Sequence, residues 1–92
     1  SFSSFAREDL RGSRWDDVRL READLTDARA EAVVWRDCDL SGVLWQGADL
    51  RRADLRGSDL TALDPAAVRL RGAHVDEPGA VAIARALGLD VG

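Results

Sequence analysis

Every fifth residue from Phe5 to Val75 is nonpolar, with no slip in register: Phe5, Leu10, Trp15, Leu20, Leu25, Ala30, Trp35, Leu40, Trp45, Leu50, Leu55, Leu60, Pro65, Leu70 and Val75. Two residues before each of these sites, the chain carries a small or aliphatic residue such as Ala23, Val33, Cys38, Ala53 or Leu63, with Glu8 the exception in a series that begins at Ser3. A large and a smaller residue two apart point to the same face of an extended segment. A period of five fits no single helix, because five steps of about 100° carry the nonpolar residue around the cylinder. Nor does it fit one long strand, since an odd spacing sends alternate large residues to opposite faces. The chain must therefore turn between short extended units.

With the large residue called position i, glycine recurs at i+2 (Gly12, Gly42, Gly47, Gly57, Gly72) and aspartate at i−1 (Asp9, Asp24, Asp39, Asp49, Asp54, Asp59, Asp64). Glycine accepts backbone angles that other residues resist, and an aspartate side chain accepts hydrogen bonds from nearby backbone N–H groups. Short strand, turn and short strand, with i and i−2 pointing inward, describe a coiling all-β solenoid.

Ala23-Asp24-Leu25-Thr26-Asp27, Cys38-Asp39-Leu40-Ser41-Gly42, Ala48-Asp49-Leu50-Arg51-Arg52, Ala53-Asp54-Leu55-Arg56-Gly57 and Ser58-Asp59-Leu60-Thr61-Ala62 resemble units of the pentapeptide repeat family, over about residues 1–77. The resemblance implies a right-handed quadrilateral β-helix of about four coils, about twenty residues to each, some 18 Å long at ~4.8 Å per coil. The tail, from Leu63-Asp64-Pro65 through Arg71-Gly72-Ala73-His74-Val75-Asp76 to Ala80–Leu89, is similar to the C-terminal end of the mycobacterial fluoroquinolone-resistance branch of that family. What this resemblance implies is a capping helix that dimerises the protein, and a DNA mimic that binds DNA gyrase.

The residues of the tail independently predict a helix over 78–88, followed by a short tail at 89–92. Pro78 suits a first turn, Asp76 or Glu77 can accept from the open N–H groups, and Gly88 can end the helix in the left-handed conformation. Ala80, Ile83, Ala84 and Leu87 form the stripe expected to cover the last coil, with Ala82, Arg85 and Ala86 on the opposite side. Val81, Ala82, Ile83, Ala86 and Leu87 are the candidate residues for the cap and for a two-fold homodimer contact.

Ninety-two residues make one small domain, and a solenoid needs both ends protected. Residues 1–5 are already in register with nothing to cover them, so the sequence reads as the C-terminal part of a longer chain. Cys38, the only cysteine, falls in an inward slot and is expected to be a buried apolar residue. A lone cysteine and the absence of a leader or apolar span are compatible with the cytoplasm. His74, the only histidine, has no clustered metal-ligand partner. No nucleophile–base spacing or phosphate-binding glycine loop is present, so neither enzymatic activity nor a cofactor is expected. Trp15, Trp35 and Trp45 occupy inward i slots, where each indole N–H is expected to find a backbone carbonyl.

If i−1, i+1 and i+2 face outward, the net charge of −4 divides unevenly. The face on Phe5, Leu25, Trp45 and Pro65 nets −2, and the face on Leu20, Leu40 and Leu60 nets −1. The third, on Trp15, Trp35, Leu55 and Val75, nets −3, with Asp16, Asp17, Asp37, Asp54, Asp76 and Glu77 set against Arg14, Arg36 and Arg56, and is the candidate partner-binding acidic face. The fourth, on Leu10, Ala30, Leu50 and Leu70, nets +3, with Arg11, Arg29, Arg51, Arg52, Arg69 and Arg71 set against Asp9, Glu31 and Asp49. This basic face lacks outward aromatic residues for base stacking, which argues against direct nucleic-acid binding. Two functions fit: a DNA mimic that binds DNA gyrase or topoisomerase and protects it from inhibitors, or a β-solenoid scaffold for another protein partner.

Overall fold

The computed structural model describes residues 4–92; the i−2 slot assigned to Ser3 lies outside the described residues. The chain coils with a twenty-residue period. Parallel bridges join Ser4 to Asp24 and Asp24 to Leu44, Asp9 to Arg29 and on to Asp49 and Arg69, and Arg19 to Asp39. A further column is formed where β1 (Arg14–Asp16) pairs in parallel with β2 (Val34–Arg36), with Trp15 opposite Trp35, and it continues through Asp54 to His74. Four columns of bridges therefore run along a β-helix. Three-residue strands form at the tryptophan corner, and on the other described sides a single bridge suffices.

The inside–outside assignment holds through the centre of the rod. Every i and i−2 residue from Leu20 to Leu60 is buried, and Leu63 extends the same series. Phe5, Leu10, Trp15, Val68, Leu70 and Val75 are partly buried against this core. An aromatic spine runs through the first part of it: Phe5 meets Trp15 edge-on at 5.4 Å, Trp15 meets Trp35 at 6.3 Å, and Trp35 meets Trp45 at 6.0 Å. The indole N–H groups differ from expectation. Trp15 donates to the Ser13 hydroxyl, whereas the Trp35 and Trp45 Nε1 atoms are buried without a protein partner among the described residues.

The tryptophan corners also change the turn. Ordinarily the i−2 N–H closes onto the C=O three residues earlier, as Ala23 does onto Leu20 and Ala28 onto Leu25. At Trp15 and Trp35 that carbonyl is taken instead by the next coil, Cys38 Sγ donating to Trp15 at 3.2 Å and Ser58 Oγ to Trp35 at 2.8 Å. The Ser58 hydroxyl accepts in turn from the Cys38 N–H. Cys38 is thus buried as expected, and burial pushes its thiol pKa up.

Each corner from Arg7 to Gly57 places its i+2 residue at positive φ. Five of the positive-φ corners in the described chain are glycine, and seven are Arg7, Asp17, Glu22, Asp27, Ala32, Asp37 and Arg52. The i+2 preference for glycine is therefore a feature of the turn, which the coil imposes on other residues as well. Ala62 and Ala67 break this rule, and the left-handed corner returns at Gly72.

The same segment breaks the ladder. Among the described residues, no backbone–backbone hydrogen bond joins 38–46 to 58–66, although both neighbouring sides keep theirs. Leu63 puts a four-carbon side chain where the core otherwise holds Ala, Val, Cys or Ser, and Pro65 forces Asp64 away from helical angles. A cleft of about 270 Å³ opens there, lined by Val43, Leu44, Trp45, Ala62, Asp64 and Ala67 among others.

The rod ends under α1 (Glu77–Ala86). Asp76 caps its N-terminus by accepting from the Gly79 N–H at 2.9 Å. Gly88, at φ 89°, ends it: its N–H donates to Arg85 and the Leu89 N–H reaches back to Ala84. The buried stripe differs from the expected one. Gly79 is buried, a Cβ there would come within 3.1 Å of Leu60 Cδ1, and Ala82 and Ile83 pack on the core. Ala80 and Leu87, expected inside, are exposed, and Ala82, expected outside, is half-buried against the core. The close approach that Gly79 permits rotates the helix so that the 79–82–83 face meets the coil.

Candidate interaction surfaces

The outward slots divide into side chains used by the corners and side chains left to solvent. All seven i−1 aspartates, Asp9, Asp24, Asp39, Asp49, Asp54, Asp59 and Asp64, accept from the backbone N–H two residues on, at 2.9 to 3.2 Å. Where an arginine follows at i+1, its guanidinium grips the same carboxylate from the side, as Arg11 grips Asp9, Arg51 grips Asp49 and Arg56 grips Asp54. These arginines and turn N–H groups hold the pKa of Asp49 and of Asp54 at about 2. The Asp9 carboxyl is lowered by Arg11, Asp24 by Thr26 and Asp39 by Ser41.

On the acidic face this accounting leaves less charge than the sequence suggests. Asp16 pairs with Arg14 and Asp54 with Arg56. Asp76 is committed to the helix cap and to the Gly57 N–H, and these backbone donors lower its pKa. Asp17, Asp37 and Glu77 remain exposed with no ion pair among the described residues. Asp17 and Asp37 occupy the same corner in successive coils, so the surviving acidic feature is a short strip.

The basic face is also uneven. Glu31 reaches both Arg51 at 3.3 Å and Arg52 at 3.4 Å, and Arg11 is engaged by Asp9. Arg29, Arg69 and Arg71 have no ion pair among the described residues and are exposed. At the capped end, Val81, Pro78, Ala82, Ala86 and Arg85 line a groove that runs beside Thr61, and Leu87 and Leu89 are each 59% exposed. The described residues include no group of three or more His, Cys, Asp or Glu able to hold a metal ion. None of their helices is long and apolar enough to cross a membrane.

A four-sided parallel β-helix with bridged corners and locked i−1 aspartates defines a β-solenoid repeat protein. Residues 36–64 match the family profile for pentapeptide repeats (8 copies). Pentapeptide repeats imply a right-handed coil for the matched segment. A pentapeptide repeat protein from the thylakoid lumen of Arabidopsis thaliana aligns at 26% identity and a TM-score of 0.65, over 84% of this chain and 56% of that one. A trypsin-treated form of QnrB1, a plasmid-mediated fluoroquinolone resistance protein, aligns at 25% identity over 96% of this chain and 44% of that one. Its TM-score of 0.46 is too low to carry function across. This chain thus spans about half the length of these two structures. No curated protein matches the sequence.

Proposed function

We propose that this chain is a non-enzymatic protein-binding rod whose partner reads side chains held in columns one coil apart. The observation that carries this reading is the fixed register of the outward slots. Positive φ at the corners and parallel bridges along the columns set the register, so Asp17 and Asp37 take the same corner, and Arg51 and Arg71 the same i+1 slot, in successive coils. Such pre-organisation lowers the ordering cost of binding.

The more specific form of the proposal is that the partner is DNA gyrase and the acidic strip imitates DNA. Its support is the likeness of the 63–89 tail to the gyrase-binding branch, together with the exposed Asp17, Asp37 and Glu77. Against it, duplex DNA carries about one charge per 1.7 Å, a density that three carboxylates do not reach. The generic scaffold is therefore the reading the geometry supports better. An assembly of two copies through α1 is compatible with either.

A gyrase supercoiling assay, run with and without a fluoroquinolone across a concentration series, separates the two. Inhibition or protection that is lost in Asp17→Lys/Asp37→Lys supports the gyrase form. No effect of the unaltered protein on either readout removes it and leaves the scaffold.

A further inference from the structure

The basic face carries two hollows built from the same slots of neighbouring coils, and they differ in charge. The first is lined by Asp9, Arg11, Gly12, Glu31, Ala32 and Arg52, where two arginines meet two carboxylates. The second is lined by Arg51, Arg52, Arg71 and Gly72 and holds three arginines and no acid.

Its origin lies in the register. Arg51 and Arg71 are the i+1 residues of successive coils, one above the other, and Arg52 sits at the corner between them at φ 61°. The next corner in that column is Gly72, whose missing side chain leaves Arg52 Cγ uncovered: a Cβ there would lie 3.1 Å from it. Arg69 stands beside this group, its backbone bridged to Asp49. The facing acids are Asp49 and Glu31, and both already accept from Arg51 or Arg52. Four arginines against these two carboxylates leave two positive charges unmatched. Arg71 and Arg69 have no carboxylate within ion-pair distance among the described residues, and the Arg52 side chain is 70% exposed.

We propose that this hollow is a binding site for a phosphoryl dianion. Guanidinium groups match tetrahedral oxyanions through paired N–H donors, and a phosphoryl group brings about −1.5 to −2 charge, which equals the local excess. A single carboxylate would neutralise only half of it. The hollow, about 310 Å³, also has room for the atoms that bear the phosphate. The site is separate from the acidic strip and does not depend on gyrase being the partner.

Backbone ¹H–¹⁵N spectra of the whole chain, titrated with inorganic phosphate against sodium chloride at equal ionic strength, test the assignment. Saturable shifts at the Arg52, Arg71 and Gly72 amides are expected with phosphate and not with chloride. Arg71→Gln and Arg52→Gln should each weaken binding about tenfold, as loss of a charged hydrogen bond does, while Arg11→Gln in the neutral hollow leaves it unchanged. A phosphoserine peptide that binds more tightly than phosphate makes the natural source a phosphorylated protein, and equal affinity makes it the free ion. Equal shifts with chloride, no effect of Arg71→Gln and Arg52→Gln in variants whose spectra stay folded, or binding of an oligothymidylate but not of phosphate would each overturn the proposal.

Discussion

The Asp76 carboxylate accepts the Gly57 backbone N–H at 2.7 Å, and its other oxygen accepts from Gly79 in the first turn of α1. At equivalent corners the bond across coils is made by a backbone carbonyl, as Gly12 makes to Glu31 and Arg52 to Arg71. At Gly57 a side chain takes that role. One residue thereby fixes both the last corner of its column and the angle at which the helix leaves the rod.

Asp76→Ala should therefore loosen the cap and the corner together. The expected result is a Tm lower by about 5 °C or more, since an N-cap and a coil-to-coil bond are lost at once. Asp76→Asn keeps an acceptor for Gly79 and should fall between the two. Faster amide exchange at Gly57 as well as Gly79 in the alanine variant checks the double role, and exchange changed only at Gly79 would contradict it.

Two corner glycines should respond differently to alanine. Gly12 has φ 72° and nothing within 4 Å of where a Cβ would stand, so Gly12→Ala meets only the left-handed backbone, at about 1 kcal/mol. Gly57 has φ 80°, and a Cβ there would run into the Asp37 carboxylate and lie 3.3 Å from the Asp37 backbone nitrogen. Gly57→Ala should cost at least about 2 kcal/mol by urea denaturation. Equal costs would show that the carboxylate moves aside freely.

The unpartnered indole nitrogen makes Trp35 respond to size more than to polarity. Trp35→Ala should cost about 3 to 5 kcal/mol, as a large cavity opens among Trp15, Trp45 and the inward aliphatics. Trp35→Phe removes a buried donor that has no acceptor, which offsets part of the lost volume, and should cost less than about 1.5 kcal/mol. A Phe variant as unstable as the Ala variant would mean that the N–H is satisfied in solution.

What is legible in the residues alone is whatever repeats. The slots of Leu20 through Leu60 can be read because each residue answers to the same period, and the i−1 aspartates because each closes its own turn. The break at 58–66 is hidden, since Leu60 and Pro65 keep the nonpolar beat and Asp59 and Asp64 keep the turn acid. What it changes, the meeting of 62–67 with 43–46 across a cleft, is a relation between residues about one coil apart. The face of α1 is concealed for a similar reason: its rotation follows from Gly79 against Leu60 and from Asp76 on Gly57, and no stripe within the helix encodes either. Counting charges by slot also overstates the acidic face, because the count does not show that arginines pair with Asp16 and Asp54 and that backbone N–H groups hold Asp76.

Stability should fall in acid through the corners. Asp49 and Asp54 sit at about 2, below the ordinary 3.8, with the arginine hydrogen bond the main cause for each. A carboxyl depressed on folding contributes fully above its unfolded value and loses that contribution as pH drops through the folded one. The free energy of unfolding should accordingly be level from pH 7 to about 5 and decline between about pH 4 and 2. Asp54→Asn should flatten part of that decline and cost about 1 kcal/mol at pH 7. An unchanged slope in the Asn variant would show that Asp54 is not among the groups responsible.

Ile83 and Leu87 separate the cap from any assembly built on it. Ile83 packs against the core and Leu87 is 59% exposed, so Ile83→Glu should strip the helix from the rod at a cost of about 3 kcal/mol. Leu87→Glu should leave the fold within about 0.5 kcal/mol of the original. If two copies meet through α1, the contact must cover Leu87, Leu89 and the groove beside Val81 and Ala86, and Leu87→Glu should then convert the dimer to a monomer without lowering monomer stability. Light scattering on both variants and the unaltered chain reads this directly. A monomeric unaltered chain at high concentration would assign the exposed leucines to some other partner.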